Sequence, residues 1–273
     1  MAENNNEVTY NLTEITHPDQ DGCPSDYELK DPVSSVLDVA WDLCKNDRLG
    51  PWSSVLAPSQ TKGRGRHGRA WASPPGHVYA ALRLPLECPF EGTLAPMALS
   101  LGLVLAFRDL GCESVKIKWP NDLLVPQGKA GGILLENRLG AVMAGIGLNL
   151  GQSPFPAGLR DPAAPPPAAF PAELGPPSAL WPKLANYIRI LYNKKFPERD
   201  PDWARNICAL AEKNLAGMDR PVTVRDPVAE PRTSDTVLAG RLLGLAPSGA
   251  LLLDGPAGKT IVWSGTLILP NQD

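Results

Sequence analysis

Three features of exported or membrane-embedded proteins are missing from this sequence of 273 residues. No apolar run approaches the roughly 20 residues that a membrane-spanning helix needs. The N-terminal stretch MAENNNEVTYNLTEITHPDQDG is polar and acidic, and it lacks the basic start and apolar core of a signal peptide. The five cysteines are odd in number, widely spread and without a CxxC pair, so neither a disulfide framework nor a zinc site is predicted. We expect reduced thiols, a cytoplasmic location and no membrane contact.

The sequence also lacks the excess of positive charge that is typical of nucleic-acid-binding proteins. Its formal net charge is -3 and its pI is about 5.7. Hydrophobic residues make up 43% and charged residues 20%, which is an ordinary globular composition. The length is sufficient for one large core, or for a core with a small appended domain.

Three segments differ in character along the chain. Residues 1–30 are polar and without sustained periodicity, which predicts a loosely ordered leader. Residues 31–217 mix helical and strand-like patterns and form the predicted main domain. Residues 218–273 contain short apolar runs separated by glycine and proline, which predict a small β-barrel-like domain.

Within the main domain, periodicity predicts helices at SSVLDVAWDLCKN, 93–111 and 178–196, and another helix that begins at Asp200–Pro201. Strands are predicted at 53–58, 77–85 and 115–119, and in the segments LLV, GGILLE and VMAGIGLNL. This mixture favours an α+β fold over a doubly wound sheet. Nine of the thirty prolines fall within 151–177, which excludes a helix interior or central strand there and predicts a long loop.

The strongest local motif is Gly63-Arg-Gly-Arg-His-Gly-Arg69, followed by Trp71. Glycines let backbone amides approach an anionic ligand closely, and the three arginines suit carboxylate and phosphate groups. An acyl-adenylate site needs both, because a carboxylate must meet an α-phosphate there. A flexible basic loop on nucleic acid or in solvent is an equally good explanation of this segment taken alone. The Walker pattern is absent.

Three further motifs follow, and each has an ordinary structural explanation when it is taken alone. Lys118-Trp-Pro-Asn-Asp-Leu123 ends a strand in an Asn-Asp pair that can hold Mg²⁺, or that forms a common turn. Lys129 enters a glycine-flanked apolar strand, where it can meet an anion or lie exposed in a turn. Gly145-Ile-Gly-Leu-Asn149 permits close approach of a base or sugar, or marks a bulge in a buried strand.

Together, in this order and spacing, the motifs resemble the biotin–protein ligase family. That family carries Q-x-x-G-R-G-R-x-G-R-x-W-x-S-P-x-G, K-W-P-N-D-L, K-x-x-G-I-L-x-E and G-x-G-x-N. The resemblance covers residues 34–150 closely and 218–269 more loosely. It implies an α+β mixed-sheet catalytic domain, here 31–217, followed by a small SH3-like β-barrel, here 218–273. It also implies that biotin and ATP, with Mg²⁺, form biotinyl-5'-AMP, and that biotin then passes to a lysine of a biotin carboxyl carrier domain.

The resemblance also implies roles for individual residues. Lys129, Arg66 and Asp122 are the expected catalytic residues, with Asp122 also the candidate Mg²⁺ ligand and a candidate acceptor of the acceptor lysine's proton. The expected biotin-binding residues are Ser35, Gln60, Gly63, Arg64, Gly65, Lys129 and Gly132. The expected nucleotide-binding residues are Arg66, Arg69, Trp71, Lys118 and Asn149.

Some positions depart from the family pattern. Val36 stands where the family usually has threonine, and Ala81 stands where a serine is common. Both changes, and the proline-rich 151–177 segment, bear on the choice of acyl substrate, so a lipoate ligase stays an alternative. A second alternative is a protein without enzymatic activity: a biotin or adenylate sensor, or a nucleic-acid binder that uses the arginine loop. The 1–30 leader is too short for the helix-turn-helix domain of many relatives, so no specific DNA binding is expected. Monomer and homodimer both stay open.

Overall fold

The computed structural model describes residues 9–15, 25–86, 89–90, 92–138, 140–154, 164–195, 202–230 and 237–270. Eight strands form a mixed sheet with the order β1-β2-β3-β4-β8-β7-β6-β5. These strands are β1 (Leu12–Ile15), β2 (Asp26–Leu29), β3 (Ser54–Ala57), β4 (Val78–Leu84), β5 (Lys116–Lys118), β6 (Asp122–Val125), β7 (Gly128–Arg138) and β8 (Ala141–Leu148). β2 and β3 run parallel, and every other adjacent pair in this sheet is antiparallel.

Helices cover both faces of the sheet. They are α1 (Val36–Lys45), α2 (Ala95–Asp109), α3 (Pro177–Lys195) and α4 (Trp203–Glu212). Strand β4 shows the division, because successive side chains of a strand point to opposite faces. Tyr79 and Ala81 pack in the cluster under α1, whereas Val78 and Ala80 pack in the larger cluster under α2 and α3. Burial on both faces explains why the residues of β4 other than the part-buried Arg83 are apolar or aromatic.

The last four strands of the described chain form a closed antiparallel barrel. Its order is β10-β11-β12-β9. The strands are β9 (Pro221–Glu230), β10 (Val237–Leu245), β11 (Leu251–Gly255) and β12 (Gly258–Ile268). The mixed sheet with helices and the small C-terminal barrel confirm the predicted fold class. The domain boundaries at 30/31 and 217/218 stay predictions.

The prediction of a loosely ordered leader is wrong for the described parts of residues 1–30, which contain β1 and β2. β1 and β2 pair with each other, and β2 extends the sheet beside β3. Asp26 in β2 is buried and accepts a hydrogen bond from Arg189 Nη1 at 3.0 Å. A four-residue strand is too short to show periodicity, and its stability here comes from partners far along the chain.

The helix predicted to begin at Asp200–Pro201 is present, but it begins later. Asp202 occupies the N-cap position of α4, whereas Asp200 and Pro201 lie outside the described residues. Cys23 and Cys88 also lie outside them, and Cys44, Cys112 and Cys208 are free thiols.

The two edges of the sheet differ. The outer side of β5 is covered, because Ile117 N donates to Asn214 O at 2.8 Å and Ile117 O accepts from Ala216 N at 2.8 Å. β1 is the other edge. In the described part of the chain, the helices are all too short or too polar to cross a bilayer.

Candidate active site

A cavity of about 530 Å³ lies between the sheet, the arginine loop at 63–69 and the barrel. Its walls come from the N-terminal end of α1, the arginine loop, strands β5 to β8 and strand β12. Eleven of the thirteen predicted site residues line it: Ser35, Gln60, Arg64, Gly65, Arg66, Arg69, Trp71, Lys118, Asp122, Lys129 and Gly132. Gly63 and Asn149 do not.

One end of the cavity holds a carboxylate between two ammonium groups. Lys129 Nζ lies 2.6 Å from Asp122 Oδ1, and Lys118 Nζ lies 3.5 Å from Asp122 Oδ2. Burial alone raises the pKa of the Asp122 carboxyl, but Lys129 and Lys118 outweigh burial, and the pKa falls below its ordinary value. Burial also lowers the pKa of Lys118. Asp122 is therefore ionised at neutral pH and is a weak proton acceptor.

Arg64 and Arg66 of the loop have different hydrogen-bond partners. Arg66 Nη1 donates to Asn121 Oδ1 at 3.2 Å beside the lysine pair, and burial lowers its pKa without removing its charge. Arg64 instead donates to both oxygens of Asp38, at 2.9 and 2.8 Å, and to Glu136 at 3.3 Å. Its guanidinium ties the loop to α1 and β7, so Arg66 is better placed than Arg64 to meet a ligand.

The loop itself is a tight backbone hairpin. Gly65 N donates to Arg69 O at 2.7 Å, and Trp71 N donates to Gly63 O at 2.9 Å. A side chain at Gly63 would overlap the carbonyl oxygen of Trp71, so that position requires glycine for packing. This packing explains why Gly63 does not reach the cavity.

The first turn of α1 forms another part of the cavity wall. Gln60 joins it to the loop, because Gln60 Oε1 accepts from Val36 N at 2.9 Å and Gln60 Nε2 donates to Ser73 Oγ at 2.9 Å. Ser35 is the N-cap residue and is only 1% exposed. Its Oγ has no hydrogen-bond partner among the described residues. A buried hydroxyl without a partner is costly, so this wall is suited to a polar ligand group.

The glycines of β8 have a role that was not predicted. A Cβ at Gly145 would lie 2.8 Å from Leu37 Cδ1, and a Cβ at Gly147 would lie 2.6 Å from Trp71 Nε1. They let Leu37 and Trp71 pack on the strand, and both glycines also line the cavity, so the close approach of a base or sugar stays a prediction. At Gly132 a side chain would not overlap its neighbours. A Cβ there would lie 3.5 Å from Lys129 Nζ, which is an ordinary van der Waals distance.

Asn149 lies behind the cavity wall. It is fully buried, and its Nδ2 donates to Ala168 O at 2.8 Å. A carbonyl oxygen only accepts, so this contact orients the amide and leaves Oδ1 as the free end. Asn149 Oδ1 has no hydrogen-bond partner in the described part of the chain.

Two parts of the wall were not recognised as site residues. Gly265, Thr266, Leu267 and Ile268 come from β12 of the barrel, and Ala164 and Pro165 come from the proline-rich segment. No local motif marks these residues, because only the docking of the barrel and of that segment brings them to the cavity.

Comparisons with known proteins show the family of this chain. Residues 36–153 match the model of the biotin/lipoate A/B protein ligase family. A biotin–[acetyl-CoA-carboxylase] ligase of Paracoccus denitrificans is 35% identical over 226 residues, which are 76% of this chain and 86% of that protein. The chain belongs to the biotin/lipoate A/B protein ligase family.

Other relatives extend the likeness of this ligase to nearly its whole length. The bifunctional ligase/repressor BirA of Bacillus subtilis is 27% identical over 88% of this chain and 72% of that protein. The solved structure of the biotin protein ligase from Aquifex aeolicus in complex with biotin and ATP has a TM-score of 0.70 and 25% identity, over 90% of this chain and 99% of that one. The predicted family, fold and enzyme class are confirmed.

The two departures from the family pattern lie in different places in this ligase. Val36 lines the cavity beside Ser35. Ala81 does not line it, because it is fully buried in the cluster under α1. Val36 is therefore the departure that bears on the ligand directly.

Proposed function

We propose that this protein is an ATP-dependent biotin–protein ligase. It forms biotinyl-5'-AMP from biotin and ATP, and it then transfers biotin to a specific lysine of a biotin carboxyl carrier domain. The observation that carries the proposal is the charge of the cavity wall. Five cationic side chains line it against a single carboxylate among the described residues: Arg64, Arg66, Arg69, Lys118 and Lys129 against Asp122.

Adenylation requires such an excess of positive charge. A carboxylate oxygen of biotin attacks the α-phosphorus of ATP, and the bond to pyrophosphate breaks. The two anions repel each other until positive groups neutralise them, and fixed cations stabilise the charge that develops in the transition state. Lys129 is poised for this role, because its ammonium already contacts the carboxylate of Asp122 and can turn to an incoming anion. Arg66 and Lys118 also lie close to Asp122. The negative charge of Asp122 opposes the lowering of their pKa values by burial.

The wall at the first turn of α1 suits the ring system of biotin. Val36, Leu37 and Ile146 supply apolar surface for rings and an aliphatic chain. The unpartnered Ser35 Oγ supplies a hydrogen-bonding group for a ureido group. An acid with one polar head, an apolar body and a carboxylate tail matches these groups together with the cationic side chains of the same cavity.

The nucleotide is assigned to the cationic end and the proline-rich wall. Arg69 and Lys118 are proposed to meet the phosphates, and Trp71 to flank the reacting groups, since Lys129 Nζ lies 5.2 Å from its ring centre. Asn149 Oδ1 is proposed to take a donor such as an adenine amine. The contact with Ala168 already fixes the amide in the required orientation.

Mg²⁺ fits this site as a companion of ATP. Among the described residues no cluster of three or more carboxylate, histidine or cysteine side chains could hold a metal ion by itself. Mg²⁺ is commonly bound by one or two carboxylates together with substrate phosphates, and Asp122 is the carboxylate on the wall. When bound, the ion would neutralise charge on the triphosphate.

In the second step, the neutral amine of the acceptor lysine attacks the acyl carbon of biotinyl-5'-AMP. The bond from that carbon to the phosphate oxygen breaks, AMP leaves, and the nitrogen loses its proton to solvent. The lowered pKa of Asp122 argues against its predicted role as acceptor of the lysine proton. The carrier domain as acceptor, the absence of specific DNA binding, the cytoplasmic location and the choice between monomer and homodimer stay predictions.

Pyrophosphate release by the purified protein with Mg-ATP tests the proposal, with biotin, with lipoate and with no acid. Release that depends on biotin supports adenylation of biotin. Release with lipoate alone would keep the mechanism but replace the substrate, in keeping with the valine at position 36. Release with neither acid, together with tight biotin binding, would favour a sensor.

A further inference from the structure

The described part of the proline-rich segment forms a strap along the strand that carries Lys129. We define the strap as residues 164–170. Lys129 N donates to Pro166 O at 2.7 Å, and Lys129 O accepts from Ala168 N at 2.9 Å. The strap therefore holds the backbone of Lys129 on both its donor and its acceptor side, as a parallel partner strand would.

Two further hydrogen bonds hold the strap against Asn149, directly after the end of β8. Asn149 Nδ2 donates to Ala168 O at 2.8 Å, and Phe170 N donates to Asn149 O at 2.9 Å. Phe170 is fully buried and stacks on Phe107 of α2 with ring centres 3.8 Å apart. The C-terminal end of the strap is thus anchored in the main core.

Gly128 makes this close approach possible. A Cβ at Gly128 would overlap the carbonyl oxygen of Pro166, which is the oxygen that accepts from Lys129 N. Any side chain at this position must displace the strap or the start of β7. The three consecutive prolines at 165–167 restrict the backbone of the strap itself, so the strap is a stiff partner.

We infer that Gly128 and the strap are positioning elements that fix Lys129 for the adenylation step. This inference rests on the proposed function. The strap sets where β7 starts, and thereby where the Lys129 ammonium lies relative to Asp122 and the ligand. Since Ala164 and Pro165 also line the cavity, the strap joins the wall of the site to the residue that neutralises the reacting anions.

Gly128→Ala is the first test. Displacing a catalytic group by about 1 Å costs up to about a hundredfold in rate, so we expect pyrophosphate release to fall by roughly ten- to a hundredfold. Biotin affinity in the absence of ATP should change much less than the rate, since Ser35, Val36 and Gln60 belong neither to β7 nor to the strap. Gly140→Ala is the matched control, because Gly140 also has a positive φ but has open space around its Cα.

Ala168→Pro is the second variant, in case Gly128→Ala does not fold. Proline removes the N–H that donates to Lys129 O, whereas Ala169→Pro removes an N–H that bonds to no other described residue. We expect Ala168→Pro to lower the rate more than Ala169→Pro. Because both variants disturb one contact, combining Gly128→Ala with Ala168→Pro should give less than the product of the two separate effects.

The outcomes separate this inference from the proposed function. A wild-type protein without acid-dependent pyrophosphate release would overturn the proposed function. A wild type that is active, with Gly128→Ala and Ala168→Pro equally active, would overturn the positioning role. Equal losses of rate and of biotin affinity, with a lowered melting temperature, would also overturn it, because the strap would then support only the fold.

Discussion

Lys129 is the residue on which the proposed chemistry depends most directly. Its ammonium lies 2.6 Å from Asp122, in a wall where positive side chains outnumber carboxylates. Lys129→Ala should lower the rate of pyrophosphate release by about 10²–10³, which is the usual cost of losing one preorganised electrostatic partner in a transition state. Biotin affinity, measured by titration calorimetry without ATP, should change much less.

The control for this prediction is Lys62→Ala. Lys62 is an exposed lysine directly before the arginine loop, and it does not line the cavity. It should leave the rate unchanged. A Lys129→Ala variant that binds biotin weakly but adenylates bound biotin at the normal rate would contradict the transition-state role.

Arg66 has a different proposed role, which is to retain the reactive intermediate. Its side chain lies beside both Asn121 and the lysine pair, and it lines the main cavity and a smaller neighbouring cavity of about 200 Å³. Arg66→Gly should let biotinyl-5'-AMP escape and label lysines of unrelated proteins. A streptavidin blot of a bystander protein measures this labelling, and labelling confined to the acceptor would show that the retention role is wrong.

At the scale of secondary-structure elements, a histidine directly before β4 bonds to the backbone that follows β8. His77 Nδ1 accepts a hydrogen bond from Leu150 N at 3.0 Å, so the neutral ring is required. Burial lowers the pKa of His77 below its ordinary value of 6.5. As pH falls below 6.5, the unfolded chain binds a proton that the folded protein does not yet bind, and the free energy of unfolding decreases.

The stability of the wild type should therefore decline from near neutral pH towards acid, by at most about 1.4 kcal/mol per pH unit from this one group. His77→Asn keeps an acceptor, its Oδ1, at the position of Nδ1 for Leu150 N but does not titrate, so its decline should be shallower. Urea unfolding at several pH values measures the difference. Parallel curves for the two proteins would mean that other groups cause the decline.

The elements also show what periodicity can and cannot predict. The patterns of α1, β4 and α2 are long enough for the sequence to indicate both their type and their buried faces. β1 (LTEI) and β2 (DYEL) were missed because they are short and half polar, whereas β3 is a largely apolar run of the same length. An ion pair between Asp26 and Arg189 links β2 to α3, far along the chain. The start of α4 was predicted two residues too early. Aspartate stands at both 200 and 202, and it is Asp202 that occupies the N-cap position.

At the scale of the whole molecule, the barrel and the main domain share one core. Barrel residues such as Val224 and Leu251 belong to the same buried cluster as Ile117 and Leu82 of the sheet. Hydrogen bonds cross the junction, among them Trp119 Nε1 to Gly249 O at 3.0 Å. The two parts should therefore unfold together.

Calorimetry and tryptophan fluorescence should accordingly report a single coincident transition. Trp119→Phe removes the donor to Gly249 O and should lower stability by about 1–3 kcal/mol, because a buried carbonyl loses its partner. Two separate transitions in the wild type would mean that the barrel folds independently, and the shared core would then contribute little to the cooperativity of folding.

The ordered motifs of the sequence were sufficient to predict the family and to name the candidate site residues. Residues proposed to act through their own charge or hydroxyl group, such as Lys129, Arg66 and Ser35, stand in short motifs, because a reacting group needs particular atoms at particular positions. How those residues are held is visible only in the folded chain. It placed β12 and the strap in the wall, assigned Arg64 to Asp38, and gave Gly145 and Gly147 to side-chain packing. These contacts join residues that are distant in the chain, and their partners are backbone atoms or small side chains that leave no pattern in the sequence.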